Sequence, residues 1–88
     1  MTAEYFYGRT GRQIPNQIKI FLENGVLFES YGSKIAFCPY DSTEKTRLDT
    51  HYWNYSQTTG KYRNEFLNEG IAETRKKIKS GEYELVSL

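Results

Sequence analysis

The sequence predicts an α+β domain: a mostly antiparallel sheet, then two short helices, then a closing strand. Three observations predict it. Residues 16–38 are rich in β-branched and aromatic side chains, interrupted by turn signals at Glu23-Asn24-Gly25 and Gly32-Ser33. Residues 56–79 change to helical spacing, with candidate caps at Ser56 and Asn68. Glu82-Tyr83-Glu84-Leu85-Val86 then returns to alternation. Strands grouped before helices favour segregated layers over a parallel, alternating architecture. A chain of 88 residues has room for one domain, read here as 1–88.

Taken in order, Glu4-Tyr5-Phe6-Tyr7 is a short strand and Gly8 to Arg12 a turn. Gln13 to Asn16 leads into a hairpin, with Pro15 at a strand start or edge. The hairpin, 16–31, is the strongest local signal. A two-residue Asn24-Gly25 loop would set Ile20 opposite Glu29, a carboxylate among apolar side chains. A three-residue loop with a left-handed Gly25 pairs Leu22 with Val26, Ile20 with Phe28 and Lys19 with Glu29, and is the register expected. Lys34 to Cys38 is a third strand, 39–45 a polar loop, and Thr46 to Asp49 a short edge strand.

Ser56 reads as the cap of a helix whose stripe is Thr59, Tyr62, Phe66 and Leu67. Gly60 costs that helix about 1 kcal/mol relative to Ala. Asn68 reads as the cap of a helix over 69–79 that buries Ile71, Ala72 and Ile78. Lys76, Lys77 and Lys79 suit the negative end of its dipole, and Gly81 suits a left-handed stop. In the last strand, Tyr83 and Leu85 should face inward.

Composition narrows function. One Cys excludes an internal disulfide, and a single His with that Cys leaves no ligand set for a zinc site, so neither metal nor cofactor is expected. No apolar run is long enough to span a membrane. The N-terminus lacks the basic-then-apolar pattern of a secretory leader, and the expected location is cytoplasmic. Twelve basic and eleven acidic residues give a net charge of +1, against both a basic nucleic-acid coat and an acidic DNA mimic. The balance is uneven: residues 1–44 carry four basic and five acidic side chains, residues 45–88 eight and six.

Catalytic chemistry would have to use Cys38, His51 and Asp49, a thiol, an imidazole and a carboxylate. The plainer reading is a small buried Cys38 and a His51 in a polar loop, and no enzymatic activity is expected. Thr58-Thr59-Gly60-Lys61 resembles the end of a phosphate loop but lacks its first Gly and its final Ser or Thr. A helix start there would still present free N–H groups to an anion. The densest aromatic and polar stretch is 51–63. Tyr52, Trp53, Tyr55, Lys61, Tyr62 and Arg63 form a candidate partner-binding set, since Tyr, Trp and Arg dominate interface hot spots. The same rings could instead close a core poor in aliphatics. A second candidate set, Lys61, Arg63, Arg75, Lys76, Lys77 and Lys79, would track a nucleic-acid backbone, with rings stacking on bases. The hairpin edge and the Tyr-rich surface also offer a place for a second copy to pair.

Several stretches carry a resemblance: Gly11 to Gln17, Phe28 to Tyr31 with Ile35-Ala36, Tyr52 to Leu67, and Thr74 to Tyr83. They resemble a family of short uncharacterised proteins of phages, prophages and plasmids. Tyr-Trp-x-Tyr-Ser-x-Thr-Thr-Gly-Lys-Tyr-Arg, at 52–63, is the most specific part. The resemblance implies a mobile-element setting and brings no catalytic residues. In that setting small proteins often bind and block host machinery. The expectation is therefore a non-enzymatic accessory protein that sterically inhibits a host defence component, an anti-CRISPR being the most concrete version. The alternative is a small nucleic-acid-binding module.

Overall fold

A computed structural model of the chain describes residues 2–88; Met1 lies outside them. Six strands form one sheet in chain order: β1 (Thr2–Tyr7), β2 (Gln13–Phe21), β3 (Gly25–Ser30), β4 (Ser33–Pro39), β5 (Arg47–Asp49) and β6 (Glu84–Val86). Helices α1 (Gln57–Leu67) and α2 (Ile71–Ser80) form the crossover between β5 and β6. That crossover makes β5 and β6 the one parallel pair among the described residues; the other four pairings are antiparallel. The α+β class expected from the sequence is the class observed.

The hairpin register differs from the one expected. Ile20 pairs with Leu27, Lys19 with Phe28 and Ile18 with Glu29, one residue away from the predicted alignment. Leu22 N–H donates to Gly25 O at 2.8 Å, so the loop is Glu23-Asn24. Gly25 is not left-handed. It lies inside the sheet, where a Cβ would sit 2.5 Å from both Cys38 O and the Phe37 ring. Glycine is needed there for close packing rather than for a bulge. The expectation failed because β3 is buried on both faces: Phe28 and Ser30 face the helices, while Leu27 packs beside Phe37 on the other side. A strand apolar on both faces carries no signal that fixes which side is inward.

Two irregularities place the core. Between β3 and β4, Phe28 pairs with Ala36 but Glu29 pairs with Lys34, which leaves Ile35 as an extra residue. The bulge lets consecutive residues Ile35 and Ala36 both be fully buried. Between β1 and β2 the register jumps around Asn16 (φ 68°), whose carbonyl accepts from Tyr31 N–H at 2.8 Å. Tyr31 and Gly32 turn the chain between β3 and β4 with φ of 53° and 80°, one residue earlier than expected. The core is then Phe6, Phe28, Ile35, Ala36, Leu48, Tyr62 and Tyr83.

Ser56 caps α1, its Oγ accepting from Thr59 N–H at 3.1 Å. Asn68, expected to start the second helix, instead ends the first: it is left-handed (φ 57°) and its N–H returns to Asn64 and Glu65 carbonyls. Gly70 begins α2, and Gly81 ends it in the left-handed conformation predicted. On α2, Thr74 is buried, Ile71 and Ile78 are half-buried, and Ala72 is exposed. β5 is internal to the sheet rather than an edge, because β6 returns beside it. Tyr83 is inward, but Leu85, in the β6 edge strand, is exposed.

Candidate functional site

The segment from Asp49 to Asn64 runs from the end of β5, through a loop without regular structure, into α1. Two charged side chains hold the loop. Asp49, almost wholly buried, accepts from His51 N–H and Tyr52 N–H at 2.9 Å each through Oδ2, and from Leu88 N–H at 2.8 Å through Oδ1. Burial alone would raise the Asp49 carboxyl; the N–H groups of Leu88, Tyr52 and His51 outweigh it and hold the carboxyl below its ordinary value.

Arg63 is the second support. It is 1% exposed. Nη1 donates to Trp53 O at 3.0 Å and Asn54 Oδ1 at 2.9 Å, and Nη2 donates to Asn64 Oδ1 at 2.9 Å. The guanidinium also lies 5.4 Å from the Trp53 ring centroid. All three oxygens are neutral, and Nε–H has no partner. Burial pushes the guanidinium down from its ordinary value and the nearby Arg75 charge adds to this, while Glu69 opposes it.

What the loop presents outward is a pair of rings. Tyr52 and Tyr55 are each 43% exposed and meet edge to face, centroids 5.4 Å apart. His51 stands beside Tyr52 at 6.3 Å. Lys61 is exposed on α1. The other members of the expected partner-binding set lie elsewhere. Tyr62 is in the core against Phe6 at 5.4 Å, Trp53 is half-buried against that core, and Arg63 is enclosed. Tyr62 and Arg63 share the inward side of α1 with Thr59, whose hydroxyl meets Ser30 Oγ at 2.8 Å. Of the six residues, Tyr52, Tyr55 and Lys61 are exposed, the two rings in contact and Lys61 over Tyr62 on α1, while Trp53 packs half-buried against the core.

A family model described as a family of unknown function (DUF8033) matches residues 2–83. The chain belongs to the DUF8033 family. No curated protein and no solved structure matches it. The DUF8033 match takes in the whole Asp49–Asn64 segment and both helices.

The basic set of this DUF8033 chain is likewise divided. Arg63 is enclosed, and Lys77 is held by Glu69 at 2.7 Å with Glu82 at 4.0 Å. Lys61, Arg75, Lys76 and Lys79 remain exposed. Glu69 anchors a buried network that sequence reasoning missed. Its Oε1 accepts from Lys77 and from Tyr83 Oη at 2.9 Å, and its Oε2 accepts from Thr74 Oγ1 at 2.6 Å. Burial raises the Glu69 carboxyl, but these donors outweigh it and lower it overall. Lys77 is raised by the same bond to Glu69, and Tyr83 is pushed up to about 12 by burial and by Glu69.

The imagined Cys38–His51–Asp49 grouping is not assembled. Asp49 binds backbone amides through both oxygens. Cys38 Sγ accepts only a long 3.9 Å bond from Thr46 Oγ1, and burial pushes its thiol up. Among the described residues no cluster of His, Cys, Asp and Glu could hold a metal ion, and no helix is long and apolar enough to cross a membrane.

Proposed function

We propose that this DUF8033 chain is a small non-catalytic binding protein that docks on a host protein through Tyr52, Tyr55 and Lys61. It acts by covering the surface it binds. The observation that carries the reading is the exposed Tyr52–Tyr55 pair on a loop fixed from below by Asp49 and Arg63. Rigid, amphipathic rings held in place before binding lose little freedom on association and make strong interface anchors. The resemblance to mobile-element proteins supports a cytoplasmic partner from host defence, a CRISPR effector being the most concrete instance.

Capture from nuclease-treated host lysate tests the reading. A host protein should be retained by the parent chain and lost with Tyr52→Ala/Tyr55→Ala. With a purified partner that double change should cost about 2 kcal/mol or more, the scale of an interface hot spot. Capture that disappears on nuclease treatment would move the function to nucleic acid, where the exposed Lys61, Arg75, Lys76 and Lys79 are the available cations.

A further inference from the structure

The sheet has two edges, and they differ. β6 is three residues long, whereas β1 runs six, Thr2 to Tyr7, with neither Lys nor Pro. Natural sheets blunt a long edge with such residues, because it presents unpaired N–H and C=O groups to any other strand. The β2–β3 hairpin lies inside the sheet and offers no edge; β1 does. The extra residues of the β1–β2 irregularity lie on β2, so β1 keeps its alternation. Phe6 packs on Tyr62 of α1, while Tyr5 and Tyr7 are 38% and 59% exposed on the face away from the helices.

The ladder register shows which backbone groups are free. At the two ends of the β2–β3 pair, Leu22 N–H donates to Gly25 O and Tyr31 N–H donates to Asn16 O. Even-numbered residues of β2 therefore bond to β3 and odd-numbered ones to β1, since bonding alternates in antiparallel strands. Phe21 is opposite Thr2 and Lys19 opposite Glu4, which turns Thr2 and Glu4 toward β2 and Ala3 and Tyr5 away from it. Past the irregularity Gly8 N–H donates to Arg12 O, so Tyr7, opposite Gln13, also points away. Among the described residues no strand lies on that side.

We infer that β1 pairs antiparallel with β1 of a second copy of this chain, about a two-fold axis through Tyr5, to form one continuous sheet. The strand is complementary to itself in that register. Tyr5 meets Tyr5, Ala3 meets the larger Tyr7, and every outward-pointing backbone group is paired, which gives about six hydrogen bonds. Glu4 stands opposite the second copy's Phe6, over whose ring that copy's Lys19 lies at 4.8 Å. Each Glu4, already 3.8 Å from its own Lys19, thereby gains a second cation. An axis through Glu4 would instead set two carboxylates face to face, which is destabilising. The loop carrying Tyr52 and Tyr55 follows β5, near the opposite edge, so pairing leaves it free and yields two docking surfaces per dimer. The inference is separate from the docking reading, and its test needs no host protein.

Sedimentation equilibrium of the full chain tests it. A strand pair is a small interface, so the mass should rise from monomer to dimer over about 10 μM to 1 mM. Tyr5→Lys and Tyr5→Glu change an exposed side chain and should keep the parent circular dichroism. Each places like charges across the axis and should weaken association about tenfold or more. An equimolar mixture of the two should restore the dimer, because Lys then faces Glu. Tyr52→Ala/Tyr55→Ala should associate like the parent. A parent that stays monomeric to about 1 mM, or a dimer that survives Tyr5→Lys, would overturn the interface. A mixture no more associated than its components would overturn the axis through Tyr5.

Discussion

Phe28 and Arg63 are both almost wholly buried, yet they are held by opposite means. Phe28 sits among rings, with Phe6 at 5.4 Å and Phe66 at 5.5 Å. Arg63 sits among oxygens from residues 53, 54 and 64. The ring contacts are non-directional and fix where sheet and helices meet. The Arg63 bonds are directional and fix the shape of a loop that has no secondary structure of its own. One kind of burial sets the layers, and the other sets the surface that those layers carry.

The largest effect expected is at the sheet. Phe28→Ala should cost about 3–5 kcal/mol, as large-to-small changes in a packed core do. Urea unfolding followed by both fluorescence and circular dichroism measures it. A loss below about 1 kcal/mol would mean that the helices do not depend on this ring for their seat.

Arg63→Met comes next and should cost about 2–3 kcal/mol, because it leaves three acceptors without their donor while keeping most of the volume. Its signature differs from that of Phe28→Ala. Amide exchange should accelerate at 51–55 more than in β3 and β4, since the loop loses its support before the sheet does. Arg63→Lys should rescue little, because one ammonium cannot reach the oxygens that a planar fork spans. Uniform acceleration across the chain would erase the distinction between the two kinds of burial.

The same contrast explains what the sequence reveals. Ser56 as a cap, Gly81 as a stop and the β-branched runs of the sheet are local signals, and each is found where it was expected. Asn68 was legible as a cap but not as to which helix it served, since Asn suits both an N-cap and a left-handed C-cap. The register of β2 on β3 was not legible, because Gly25 answers to the Phe37 ring on another strand. Arginine usually lies at the surface, so the sequence points Arg63 outward. Its position among Thr59, Tyr62 and Phe66 on α1 was the available clue, but its acceptors meet only in the folded chain. Asp49 was half legible: its bonds to the next residues are a local turn, whereas the bond to Leu88 N–H is long-range.

Asp49→Asn is a smaller probe of the polar side, expected to cost about 1–2 kcal/mol at pH 7 by weakening charge-assisted bonds to three amides. Its sign with pH is fixed. The folded-state carboxyls of Asp49 and Glu69 both lie below their ordinary values. Their stabilisation is therefore complete above the unfolded-state values of about 4 and is lost as pH falls through the folded ones. Parent stability should decline below about pH 5. Asp49→Asn should show a shallower decline over the same window, and an unchanged slope would remove Asp49 from the acid-sensitive set.

The smallest effect tests the rule from inside the sheet. Gln17 pairs with Ser30 across β2 and β3, is fully buried, and has neither its amide oxygen nor its nitrogen bonded to the protein. It is a polar side chain in the region held by apolar contact, without the directional partners that justify Arg63 and Asp49. Ser30, its neighbour, shares a hydroxyl–hydroxyl hydrogen bond with Thr59 instead. Gln17→Met keeps the length and flexibility of the side chain and removes both unsatisfied groups. If the sheet side is governed by packing alone, the change should raise stability by about 1 kcal/mol, measured by urea unfolding against the parent. A loss of the same size would show that the Gln17 amide is satisfied in solution, and that the polar mode of burial extends beneath the sheet as well as the loop.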